Sequence, residues 1–155
     1  MSSASFLEDR GFWRDLLSTV AFFSPAIHPL QREFRVDSKE LLRKLGEEMG
    51  RRASESIEAA DLKSVLDQLS EVWSRLVLGR LEVVSRDPLT FRISNCTICG
   101  QIPRLGLFFE CSFHEGFFRG LLSHRLQREV KIWQEGGILG ESGTWTRILK
   151  TDVSL

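Results

Sequence analysis

The chain has 155 residues, enough for one domain with a substantial core, and its 42% hydrophobic and 27% charged fractions exclude a wholly disordered polypeptide. Lysine plus arginine total 21 and aspartate plus glutamate total 21, so the basic excess of a general nucleic-acid binder is missing. No apolar run reaches the length of a membrane span, and Met1–Arg10 lacks the basic-then-apolar order of a secretory signal.

Residues 6–23 place Phe6, Leu7, Trp13, Leu16, Leu17 and Val20 at helical spacing, which predicts a first helix, weakened early by Gly11. Pro25 and Pro29 break it, and His28 between them reads as a loop histidine. Asp37-Ser38 then form an N-cap for a second helix carrying Leu41, Leu42, Leu45 and Met49. Gly46 and Gly50 share one face of it and would let another backbone approach closely. Arg43, Lys44, Arg51 and Arg52 interleave with Glu40, Glu47, Glu48 and Glu55, the pattern of a solvated mixed-charge face.

The third helix gives the clearest signal. Asp61 caps it, and Leu62, Val65, Leu66, Leu69, Trp73 and Leu76 follow as one apolar stripe that ends near Gly79. After Gly79 the period changes to two. Leu81 and Val83, then Leu89, Phe91 and Ile93, flank the turn signal Asp87-Pro88 and predict two antiparallel strands. A cysteine-bearing loop follows, then a fourth helix over residues 112–126 in which Gly116 and Gly120 repeat the four-apart pattern. Val130–Trp133 and Thr144–Leu149 predict a closing hairpin, with Gly136, Gly137, Gly140 and Gly143 in its turn. Helices and strands in segregated runs indicate an α+β domain. The chain reads as a single domain over 1–155, with residues 1–36 as a helical arm and 37–155 as the core.

All three cysteines fall in one short window, as Cys96-Thr97-Ile98-Cys99 and, after eleven intervening residues, Cys111-Ser112-Phe113-His114. Three thiolates and an imidazole are a tetrahedral zinc set, and with no open position the metal would be structural, pinning sheet to helix. Two other readings stand beside it: reduced cysteines as small core residues, or a redox pair at Cys96 and Cys99. An odd cysteine count predicts a reducing, cytoplasmic setting.

The run Cys111-Ser112-Phe113-His114-Glu115-Gly116-Phe117-Phe118-Arg119-Gly120-Leu121-Leu122 resembles the central motif of 4-vinyl-reductase-type domains. In that family a cysteine, an aromatic two residues on and a four-apart glycine pair open a helix. Cys96 and Cys99, the preceding strand pair, the final hairpin and Leu45-Gly46-Glu47-Glu48-Met49-Gly50 fit the family's order, so the resemblance spans roughly residues 38–150. Relatives often carry further cysteines near the final hairpin. Ile138 and Trp145 stand there in this chain, which therefore uses His114 or lacks the metal.

The resemblance implies a fold similar to the Bet-three-like subunits of the TRAPP tethering complex, with homodimers common. It also implies a sensor for small apolar ligands such as hydrocarbons or tetrapyrrole precursors. Eleven phenylalanines and four tryptophans without a tyrosine suit an apolar pocket, and equally an ordinary core. Phe117 and Leu121 are the expected ligand-lining residues. No phosphate loop, nucleophile elbow, zinc-protease helix or nicotinamide fingerprint is visible, so the expected function is ligand binding on a zinc-stabilised frame, without catalysis. The alternative is a homodimeric assembly subunit in which the apolar stripes and glycine pairs form interfaces.

Overall fold

The computed structural model describes residues 38–75, 79–96, 112–139 and 145–155. The expected first helix over 6–23, His28, Cys99 and Cys111 lie outside these residues. Helix α1 runs Ser38–Ser56 and α2 runs Leu62–Arg75. Strands β1 (Arg80–Arg86) and β2 (Leu89–Ser94) precede helix α3 (Ser112–Leu126), and β3 (Ile132–Leu139) and β4 (Trp145–Thr151) close the chain. The α+β class expected from the sequence is therefore the observed one.

Both hairpins join one antiparallel sheet of order β1-β2-β4-β3, because β2 pairs with β4 through Phe91↔Leu149 and Ile93↔Arg147. Alternation then sorts the faces. Leu89, Phe91, Ile93 and Leu149 are buried on the side that meets the helices. The other side carries Glu82 with Arg92 at 3.6 Å and Glu135 with Lys150 at 2.6 Å. Gly136 and Gly137, expected in the turn, instead lie inside β3, at a register shift between Glu135 and Ile138. The flanking pairs Glu135↔Ile148 and Ile138↔Thr146 carry the strand across them, and a bulge absorbs the irregularity.

The capping expected at Asp61 is present: its Oδ1 accepts the Ser64 backbone N–H at 2.9 Å. Gly79 turns the chain from α2 into β1 at φ +97°, and a Cβ there would lie 2.2 Å from the Ser94 carbonyl oxygen. Only glycine fits that position. On α1 the basic residues pair along the surface, as in Arg51 with Glu48 and Glu55 and Arg52 with Glu48. Hydrogen bonds from Arg51 and then Arg52 pull the Glu48 carboxyl down to about 2. The solvated mixed-charge face read from the sequence is what forms.

The four-apart glycines decide how the helices meet. A Cβ at Gly46 or Gly50 would strike the Phe113 or Phe117 carbonyl oxygen on α3, at 2.2 and 1.9 Å. Conversely, a Cβ at Gly116 or Gly120 would strike the Arg43 or Glu47 carbonyl oxygen of α1, at 2.0 and 1.9 Å. The two pairs interlock within one chain. These glycines are thus not the contact between subunits that the assembly reading assigned to them.

Candidate functional site

Close α1–α3 crossing pushes the large side chains of α3 to its opposite side, toward α2 and the sheet. Phe118 stacks on Phe91 of β2 with centroids 4.3 Å apart, and Trp73 of α2 lies 5.6 Å from Phe118 and 5.0 Å, edge-on, from Phe117. His114, one turn earlier, lies 5.8 Å from Trp73 and 6.0 Å from Phe113. Each of Trp73, Phe91, His114, Phe117 and Phe118 has zero exposure. The result is an aromatic cluster with an imidazole inside it. The Trp73 indole Nε1 is buried there and has no hydrogen-bond partner among the described residues.

Of the four expected metal donors, two are described. Cys96 follows β2 and is buried as part of the core, while His114 is held in the first turn of α3. Thiol and imidazole are both zinc-ligand types, and both are sheltered from water, so the described half of the donor set suits a structural ion. Among the described residues no three His, Cys, Asp or Glu side chains gather to hold a metal. Phe117 and Leu121, the expected ligand linings, are fully buried, the first against Trp73 and Phe118.

The inner face of the sheet holds polar groups that motif reading missed. Arg147 is 7% exposed, with its Nε and Nη1 buried and without hydrogen-bond partners among the described residues. Gln134, which pairs with Leu149 on β3, buries an Nε2 in the same state. A signal for both existed. Arg147 is in phase with Leu149, and Gln134 with Ile132, so alternation alone places these polar residues on the core side.

No known family profile matches the chain. An uncharacterized protein of Methanocaldococcus jannaschii is similar, 27% identical over 103 residues, which cover 66% of this chain and 58% of that protein. The chain therefore spans little more than half the length of the relative it matches.

A second constellation ties the helices together. Ser54 Oγ on α1 lies 3.0 Å from His124 Nδ1 on α3, and His124 Nε2 lies 3.6 Å from Glu55. These are the residue types of a nucleophile, base and acid. Ser54, however, is only 2% exposed, wedged between the two helices, so its hydroxyl serves as a helix–helix link. Arg125 strengthens the same seam by donating to the Ile57 carbonyl just past α1. No described helix is long and apolar enough to cross a membrane.

Proposed function

We propose that this chain binds or senses a small apolar molecule at the aromatic cluster of α2 and α3, on a frame braced by zinc. The observation that carries the reading is the Trp73 N–H. A buried donor left without an acceptor costs about 1–3 kcal/mol, and an oxygen on a ligand within this hydroxyl-free cluster would satisfy it. Phe117 and Leu121 would border the ligand. Cys96, Cys99, Cys111 and His114 would hold the zinc, which supplies structural cross-linking and no reaction step. The 4-vinyl-reductase resemblance supports both parts, and no catalytic residue is assigned.

Native mass spectrometry of protein made without added zinc tests the proposal. The expected spectrum shows about one zinc per chain, lost together with stability in Cys99→Ala and His114→Ala, and saturable binding of octanamide or benzamide. A metal-free protein with a mild His114→Ala phenotype would return the cysteines to the core. Indifference to apolar probes would remove the ligand reading.

One observation favours the assembly alternative, a homodimeric subunit resembling the Bet-three-like proteins. Trp133 is 45% exposed on β3, an edge strand of the sheet. An exposed tryptophan on a strand that is at the sheet edge among the described residues would serve as a contact element for a second chain. A strictly monomeric species at micromolar concentration would count against it.

A further inference from the structure

Arg147 is more than nine-tenths buried, and its Nε and Nη1 have no hydrogen-bond partner among the described residues. An unpaired buried charge is among the most costly features a fold can carry. Lysine or histidine could relieve that cost by losing a proton. Arginine cannot, because its guanidinium stays charged throughout the accessible pH range. The residue therefore asks for an anion.

Sheet geometry shows where the anion would sit. Glu135 pairs with Ile148 and Ile138 with Thr146, which leaves Gly136 and Gly137 opposite Arg147. Neither of these residues carries a side chain. On the other flank Arg147 pairs with Ile93, an apolar residue that offers it no acceptor. Gln134, one step along the same inner face, adds a buried amide donor without a partner among the described residues.

We infer that Arg147 and Gln134 form the polar end of the ligand site and that the ligand is an apolar carboxylic acid, bound as its carboxylate. This rests on the proposed apolar-ligand function and names the ligand's class. Ile93, Leu149 and Phe91 share the inner face with Arg147, so the surroundings favour a monoanion with an apolar body over a strongly hydrated phosphate dianion. Guanidinium and carboxylate form charge-assisted hydrogen bonds, and the Gln134 amide, on the same inner face, would donate to a second carboxylate oxygen.

The test compares octanoate with octanamide and benzoate with benzamide, by calorimetric titration of the full chain at one pH. Each pair shares an apolar body and differs in charge. The acids should bind roughly tenfold more tightly or better, the worth of a hydrogen bond to a charged group. In Arg147→Met the preference should vanish while amide binding persists, and in Gln134→Leu it should fall by a smaller factor. Equal affinity for acid and amide in the natural protein overturns the anchor and leaves the apolar-ligand function standing. Binding of neither overturns both. An acid preference that survives Arg147→Met also overturns the assignment. Should that variant fail to fold, the acid–amide comparison on the natural chain decides.

Discussion

Gly50 of α1 and Phe117 of α3 meet backbone to backbone, so close that a Cβ on Gly50 would lie 1.9 Å from the Phe117 carbonyl oxygen. That distance reverses an ordinary rule. Glycine to alanine inside a helix normally stabilises by about 1 kcal/mol through helix propensity. Here the methyl group would meet backbone, which no rotamer change can move aside. Gly50→Ala should therefore destabilise by about 3 kcal/mol or more, at or beyond the upper end of overpacking costs. Urea denaturation of the variant measures it, and a neutral or positive shift would refute the close crossing.

The stacked pair Phe91 and Phe118 is the joint between sheet and helix, with centroids 4.3 Å apart at 20° between planes. Truncating either ring to alanine should cost about 3–5 kcal/mol, since both are fully buried. The double variant should cost less than the sum, by about 0.5–1.5 kcal/mol for the ring–ring contact. Strict additivity would mean that the rings stabilise the core separately and that the joint lies elsewhere.

Such contacts were legible in the sequence to different depths. Leu62 through Trp73 declared α2, because a stripe repeating over three turns has one structural solution, and Asp61 marked its start. Gly46, Gly50, Gly116 and Gly120 announced a close backbone approach. Their spacing left the partner open, since the same pattern serves a contact within or between chains. Pairing of β2 with β4 was not legible, because strand order depends on contacts far apart in sequence. Gly136 and Gly137 misled for a related reason: locally they read as a turn, and only the pairing of their neighbours Glu135 and Ile138 with β4 keeps them in a strand. Of the candidate site, Cys96 and His114 announced themselves by residue type. Arg147 and Gln134 belong to no motif, and only their phase with Leu149 and Ile132 marks them as inward-facing.

Asp61 gives α2 a pH-dependent cap. Its carboxyl lies below the ordinary value of 3.8, chiefly because it accepts the Ser64 backbone N–H and then the Ser64 hydroxyl. A depressed folded-state value means that the carboxylate's contribution is fully present above the unfolded value. It is lost as pH falls through the folded one. Asp61→Ala should lower Tm at neutral pH, and the difference from the natural chain should shrink as pH falls below the ordinary value of 3.8 and through the lower folded one. Asp61→Asn should retain most of the cap at neutral pH, because its side-chain oxygen accepts the same bond. A penalty independent of pH would assign the effect to helix propensity instead of the charged cap.

Ser54 and His124 supply the last prediction, which separates a structural seam from hidden chemistry. Their 3.0 Å hydrogen bond joins α1 to α3, while Ser54 itself is 2% exposed. Removing the hydroxyl in Ser54→Ala should cost about 0.5–1.5 kcal/mol, the net worth of one hydrogen bond. A substrate carbonyl would need to reach within about 3–3.5 Å of the hydroxyl oxygen for attack, and packing of the two helices occupies that space. A serine-directed fluorophosphonate should therefore leave the folded protein unlabelled, and Ser54→Ala should bind octanamide as the natural chain does. Stoichiometric labelling at Ser54, abolished by His124→Ala, would show instead that the seam opens and that the serine, histidine and Glu55 form a reactive set.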